Sequence, residues 1–111
     1  MIRNKFKIID IGHSNFNQEK AIIILETEIS QSLYDKDCRA VKIITGHGSG
    51  ILKKAVKEWI KDQEGRFKAV IYGKEYNLFN KIALDMRLEC QIKNDLDFGR
   101  NNSGVVYVWF W

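Results

Sequence analysis

The sequence predicts one α/β domain, a two-layer sandwich in which two main helices cover a mixed sheet of about four to five strands. Short apolar segments and longer amphipathic segments follow one another in the order β-α-β-α-β-β, which is typical of this class. The 111 residues have the length of one compact domain, and 45% apolar residues suffice for a core. Glycines cluster at residues 46–50, and the chain contains no proline.

The first third of the chain carries a strand and a helix. Phe6–Ile11 is an apolar run that ends at Gly12, which predicts the first strand. Asn15, followed three residues later by Gln18, predicts a capped helix over Phe16–Leu33, although isoleucines at 22–24 also suit a strand. The predicted buried face of this helix consists of Ile22, Leu25, Ile29 and Leu33.

The second strand and the second helix flank the glycine cluster. Val41–Thr45 predicts the strand, and Ile51–Lys61 predicts a strongly amphipathic helix. The apolar side of this helix consists of Leu52, Ala55, Val56, Trp59 and Ile60. The charged side consists of Lys53, Lys54, Lys57, Glu58 and Lys61.

Three further elements are expected before the last loop. Arg66–Tyr72 predicts a strand and Tyr76–Asp85 a short helix, in which we expect Tyr76 and Phe79 to pack in the core rather than stack bases. Met86–Lys93 alternates apolar and polar residues, which indicates a half-buried strand.

The chain closes with a polar loop over Asn94–Ser103 and a strand over Val105–Trp111. Because this strand is apolar on both faces, both faces should be covered. We expect helices on one side, and residues 73–85 or a partner subunit on the other. A homodimer is therefore possible.

Composition restricts the class of protein. A net charge of +4 and a pI near 9.1 favour polyanionic partners. The apolar runs are far shorter than the roughly 20 residues of a membrane span, and the N-terminus lacks a signal-peptide pattern, so we expect a cytoplasmic protein without membrane contact. Cys38 and Cys90 form no C-x-x-C pair, which predicts ordinary buried or half-buried thiols rather than a zinc site or a disulfide framework.

The segment Thr45–Gly50 is the strongest candidate for a ligand site. A strand, closely spaced glycines and a helix start together present backbone N–H groups to an anion, and Ser49 can cap the helix. Ile51 stands where G-x-G-x-x-G needs its third glycine, and no G-K-[ST] ending follows, so dinucleotide and ATP binding are not indicated. A glycine turn that only connects two elements remains the alternative.

The segment Ile43–Ile60 resembles the signature of the Smr (small MutS-related) domain family, in which two aliphatic residues precede a glycine loop and a basic helix with a late aromatic residue. Asn102–Val108 is similar to the last loop and strand of that family, and Ile9–Ile11 to the start of its first motif. Residues 66–85 resemble an insertion in a single domain that spans 1–111.

The resemblance implies a nucleic-acid-binding domain with endonuclease activity on RNA or DNA. Phosphate binding is then expected from the residues Thr45, Gly46, His47, Gly48, Ser49, Gly50, Lys53, Lys54 and Lys57. The residues themselves place Asp10, His13 and His47 at the carboxyl edge of the sheet, where an Asp-oriented histidine can act as general acid or base. No metal ligands are assigned, although Mg²⁺ or Mn²⁺ is possible.

Each of these residues also has a simpler interpretation. Asp10 can cap the strand end, His13 and His47 can be exposed loop residues, and the lysines can be a solvated helix face. Gly12 stands where the Smr family usually has His or Arg, and Thr45 replaces a frequent His. The alternative function is therefore a non-catalytic nucleic-acid-binding module that has lost the acid–base histidine.

Overall fold

The structure, a computed structural model, describes residues 4–13 and 17–111. Four strands, three α-helices and one 3₁₀ turn occur in these ranges. In chain order they are β1 (Phe6–Asp10), α1 (Gln18–Tyr34), β2 (Ala40–Ile44), α2 (Ile51–Asp62), β3 (Ala69–Tyr72), the 3₁₀ turn (Gly73–Glu75), α3 (Lys81–Glu89) and β4 (Val105–Trp109). No helix in the described ranges has the length and apolar character needed to cross a bilayer.

The four strands form one mixed sheet in the order β1-β2-β4-β3, which confirms the predicted mixed α/β fold. β1 and β2 are parallel, whereas β4 runs antiparallel to both β2 and β3. In the register, Asp10 lies beside Ile44, Ile44 beside Val105, and Tyr72 beside Val106. The ends of β1, β2 and β3 and the start of β4 therefore lie along one edge of the sheet.

Both faces of the sheet carry a hydrophobic core. On one face, α1 and α2 pack against alternate residues of the two central strands, such as Val41 and Val108. On the other face, α3 packs over Tyr107 and Trp109, and the buried Tyr76 stacks on Tyr107 with the ring centroids 3.9 Å apart. The expected cover on both faces of β4 is confirmed, and part of it comes from the segment 73–85.

Helix α1 begins at Gln18 because the side chain of Asn17 caps it, accepting the N–H of Lys20 at 2.8 Å. The cap predicted at Asn15 and the predicted start at Phe16 lie outside the described residues. The buried face consists of Ala21, Leu25, Ile29 and Ser32. Leu25 and Ile29 confirm the prediction, whereas Ile22 is half-buried and Leu33 is exposed, because the buried face is rotated toward Ala21 and Ser32.

The strand predicted over Met86–Lys93 is wrong, because residues 86–89 form the last part of α3 and residues 90–93 form a turn and a loop. The carboxamide oxygen of Asn80 caps the helix by accepting two N–H groups of its first turn, at 3.0 and 3.2 Å. Ala83, Met86 and Cys90 then recur at helical spacing and are all buried.

The helix predicted over Tyr76–Asp85 is wrong in its first half, because residues 76–80 form a loop between the 3₁₀ turn and α3. Tyr76 is fully buried, as expected. Phe79, which was also expected in the core, is 97% exposed. The interpretation of residues 66–85 as an insertion stays a prediction, although β3 within this segment is a strand of the sheet.

Candidate nucleic-acid interface

The strand end that follows β1 carries a carboxylate–imidazole pair. One oxygen of Asp10 accepts the backbone N–H of Gly12 at 2.9 Å, and the other lies 2.6 Å from Nδ1 of His13. Asp10 therefore caps the strand end, which was the simpler interpretation, and also contacts a histidine, whereas its catalytic role stays a prediction. A carboxylate only accepts hydrogen bonds, so in the tautomer that pairs with Asp10 the imidazole donates from Nδ1 and can accept at Nε2.

The end of β1 is in backbone contact with the glycine loop that follows β2. A Cβ on Gly12 would lie 2.5 Å from the carbonyl carbon of Thr45 and 2.8 Å from the backbone nitrogen of Gly46. Only glycine permits this approach. The exposed His47 is the next residue of that loop, so the Asp10–His13 pair and the glycine loop belong to the same sheet edge.

The glycine loop has a left-handed backbone conformation that favours glycine. Gly46, Gly48 and Gly50 all have positive φ, at 70°, 31° and 85°. Gly50, not Ser49, is the N-cap of α2, and the hydroxyl of Ser49 makes only a long contact of 3.4 Å with the N–H of Ile51. The first turn of α2 therefore keeps N–H groups that an external anion can accept.

A cleft of about 310 Å³ lies beside the glycine loop, between α2 and the end of β3. Lys53 and Lys57 line one side, and Lys74 of the 3₁₀ turn lies on the other. The ammonium of Lys53 donates to the hydroxyl of Ser103 at 3.0 Å, and that of Lys57 lies 5.5 Å from the ring centroid of Tyr72.

The phenol of Tyr72 in this cleft stays neutral, because burial, and then the charge of Glu75, raise its pKa. Among the described residues that line the cleft, the charged groups are thus three ammonium groups and the carboxylate of Glu75, and the valines at 56, 105 and 106 form its apolar part. Such a surface attracts anions.

The loop that precedes β4 holds the glycine loop in place. The carbonyl of Gly104 accepts the N–H groups of Thr45 at 2.8 Å and Gly46 at 3.1 Å. The N–H of Gly104 donates to the side chain of Asn102 at 2.9 Å, whose amide donates to Asp97 at 2.8 Å. The buried hydroxyl of Thr45 donates to the same Gly104 carbonyl at 3.1 Å.

Asp97 also belongs to a largely buried ion cluster that joins this loop to β2 and β4. The ammonium of Lys42 donates to Asp97 and, at 2.7 Å, to Asp95, and the hydroxyl of Tyr107 donates to Asp95. Burial disfavours the charged forms, but the hydrogen bonds outweigh it: they raise the pKa of Lys42 and lower the pKa values of Asp95 and Asp97. The same neighbourhood raises the pKa of Tyr107, chiefly through burial, so the phenol stays a donor.

The structure brings most of the predicted site residues to one edge. Asp10, His13 and the loop Thr45–Gly50 lie there, and Lys53 and Lys57 line the adjoining cleft, whereas Lys54 is exposed and does not line it. The sequence did not indicate the contributions of Gly12, Tyr72, Lys74 and Ser103. Ser103 lies within the closing motif Asn102–Val108, which was the available signal.

The described residues at this edge include no cluster of three metal-ligating side chains. Within residues 4–13 and 17–111, no group of three or more His, Cys, Asp or Glu side chains has a metal-binding arrangement. Both oxygens of Asp10 already have partners in the chain. A role for Mg²⁺ or Mn²⁺ therefore stays a prediction.

Fold and site together define an α/β domain with a strand–glycine loop–helix segment at its sheet edge. The sequence matches the Smr domain family over residues 13–75, more than half of the chain, and the chain belongs to that family of nucleic-acid-binding, endonuclease-type domains. The fold is similar to the Smr domain of Thermus thermophilus MutS2, with a TM-score of 0.60 and 13% identity over 95% of this chain and 98% of that one. A comparison with curated proteins found no match.

Proposed function

We propose that this Smr domain binds RNA or DNA through the backbone phosphates and cleaves the bound strand with the Asp10–His13 pair. The observation that carries the proposal is the 2.6 Å contact between Asp10 and Nδ1 of His13, on the strand end that touches the glycine loop. It supports an acid–base group and an anion site within reach of the same phosphodiester.

The glycine loop and α2 are proposed to hold the phosphate. Positive φ at three glycines, an N-cap without a side-chain hydrogen bond and the partial positive charge of the helix start all favour an anion there. Lys53 and Lys57 extend the positive surface into the cleft, where a neighbouring phosphate of the same strand can bind.

The proposed reaction on RNA needs no metal. Nε2 of His13 accepts the proton of a 2′-hydroxyl, and the 2′-oxygen attacks the adjacent phosphorus. The bond to the 5′-oxygen of the next nucleotide breaks, and that oxygen receives a proton, for which the protonated imidazole of His47 is the proposed donor. The products are a 2′,3′-cyclic phosphate and a 5′-hydroxyl. Asp10 orients His13 and stabilises the imidazolium that forms.

Cleavage of labelled RNA and DNA, with EDTA and with added Mg²⁺ or Mn²⁺, tests this proposal. His13→Ala should reduce the cleavage rate by about 10² to 10⁴ while binding is retained, and Asp10→Asn should also reduce it because the histidine loses its orienting charge. Asp62→Asn, at the end of α2, is the matched control and should cleave normally. Full activity of both site variants would refute the catalytic assignment.

A binding module without catalysis is the second candidate. The exposure of His13 favours this function, because its side chain is 75% exposed and contacts Asp10. If the wild-type chain binds nucleic acid but cleaves neither RNA nor DNA under any of these conditions, this function replaces the first. If it binds no polynucleotide at all, both functions are wrong.

A further inference from the structure

The loop between the 3₁₀ turn and α3 presents an aromatic side chain to solvent. Phe79 is 97% exposed, although large apolar side chains gain free energy on burial. Three residues earlier, Tyr76 is fully buried and anchors the loop in the core. An aromatic ring that is left in solvent beside such an anchor is available for a ligand.

Hydrogen bonds hold this loop in one conformation. The side chain of Asn77 accepts the N–H of Phe79 at 2.9 Å, and the side chain of Asn80 donates to the carbonyl of Glu75 at 2.9 Å. The N–H of Asn80 donates to the carbonyl of Asn77 at 3.1 Å. Because the backbone on both sides of Phe79 is fixed, binding through its ring costs little ordering of the loop.

The exposed ring adjoins the basic cleft. A shallow groove lined by Phe79, Asn77 and Lys81 shares Lys74 and Glu75 with the cleft beside the glycine loop. Among the described residues that line the two depressions, Lys53, Lys57, Lys74 and Lys81 are basic, the last of them paired with Asp85, and Glu75 is the one acidic residue. The surface from the glycine loop to Phe79 is thus continuous and mainly positive.

We propose that Phe79 stacks on an unpaired base of a nucleic acid whose phosphates lie along the lysine-lined cleft, so that the preferred ligand is single-stranded. This inference rests on the proposed binding of nucleic acid at the glycine loop. Stacking on an aromatic ring needs an exposed base face, which a duplex does not offer along its length. A positive surface that leads to an aromatic ring matches a strand with negative phosphates and flat bases better than an apolar protein surface.

Fluorescence anisotropy with a short single-stranded RNA and the duplex of the same sequence tests the inference. Loss of one base–aromatic stack is worth about 1 to 3 kcal/mol, so Phe79→Ala should weaken single-strand binding by about 5- to 150-fold and leave duplex binding unchanged. Phe79→Trp should restore single-strand affinity, because indole stacks at least as well. Leu88→Ala, at another exposed apolar residue that is 81% exposed, is the matched control and should bind as the wild type does.

Each possible failure has its own signature. If the wild-type chain binds neither probe, the proposed function fails and the stacking role fails with it. If the wild type binds but Phe79→Ala has unchanged affinity, or loses single-strand and duplex affinity equally, only the stacking role is wrong. If Phe79→Ala instead abolishes self-association in sedimentation without changing RNA affinity, the ring belongs to a protein contact and the inference is overturned. Thermal unfolding verifies that the exposed substitution leaves stability nearly unchanged.

Discussion

Replacing Lys42 by Met should cost more stability than any surface substitution in this chain. The ammonium is buried against the carboxylates of Asp95 and Asp97, and methionine has a similar shape, so the change removes the charge without opening a large cavity. Removal of one partner from a buried ion pair costs about 3 to 5 kcal/mol, because the remaining charge is left buried. The free energy of unfolding of a domain of this size is roughly 5 to 15 kcal/mol, so this loss is a large fraction of the total stability. Urea denaturation near neutral pH measures it.

A matched substitution separates burial from the mere loss of a lysine. Lys81 forms an ion pair with Asp85 at 2.9 Å, but its side chain is 87% exposed, and solvent screens that pair. Lys81→Met should therefore change the free energy of unfolding by no more than about 0.5 kcal/mol. If Lys42→Met costs no more than Lys81→Met, the buried cluster does not contribute as argued.

Acid should reduce the difference in the free energy of unfolding between the wild type and Lys42→Met. In the wild type, Asp95 and Asp97 have lowered pKa values, so their contribution to stability is present above their ordinary pKa of 3.8 and is lost as the pH falls through the lowered values. In the variant the carboxylates lack their cation, and burial favours their protonated forms, so acid relieves the penalty. Denaturation across this pH range should show convergence, and parallel curves would contradict the assignment.

Three further outcomes follow from the structure. Gly12→Ala should lower the melting temperature more than Gly48→Ala, because a Cβ on Gly12 meets backbone at 2.5 Å whereas Gly48 has open space and only a strained φ of 31°; equal losses would contradict the close approach. Cys38 and Cys90 are buried, and burial is the main reason why the pKa of Cys90 is raised to about 11. A thiol reagent should therefore react slowly with the native protein until denaturant is added, and rapid labelling of the native protein would contradict this. Lys57→Gln should reduce the slope of log affinity against log salt by about 0.7 to 0.9 if its ammonium contacts a phosphate, and an unchanged slope would exclude that contact.

Periodicity predicted those elements whose burial follows one face. In α2, the predicted range Ile51–Lys61 agrees with the observed Ile51–Asp62, and Ala55, Val56 and Trp59 are buried as expected. The apolar run that predicted the last strand also predicted its cover, because Val105–Trp109 is buried on both faces. Apolar side chains at a regular spacing were sufficient evidence in both cases.

The same reasoning failed where one apolar pattern is compatible with both the two-residue repeat of a strand and the four-residue spacing of a helix. Residues 86–93 alternate as a strand would, but Met86 and Cys90 are also four apart, and both are buried in the core, the first as a residue of α3 and the second as its C-cap. Leu88, which the strand pattern places inside, is 81% exposed. The N-cap at Asn80 starts a helix that continues through Met86, and this cap lies within the range Tyr76–Asp85 that was predicted as a separate helix.

The site was predictable as far as it is local in the chain. Glycines after a strand indicate a positive-φ loop, and Asp10 with His13 is a pair three residues apart. The cleft lining from Lys74 and Ser103 depends on how β3 and β4 meet α2, and no local pattern encodes that arrangement.

The buried cluster shows why the glycine loop needs residues that no ligand touches. Lys42 and Asp97 lie on the sheet face opposite α2, yet the carboxylate of Asp97 reaches Asn102 as well as the ammonium. Asn102 fixes the N–H of Gly104, and the Gly104 carbonyl accepts the first two N–H groups of the glycine loop. Each group in this series of hydrogen bonds orients the next one, because each residue contacts its two neighbours in the series through different atoms. The loop conformation therefore depends on an ion pair whose members are 55 residues apart.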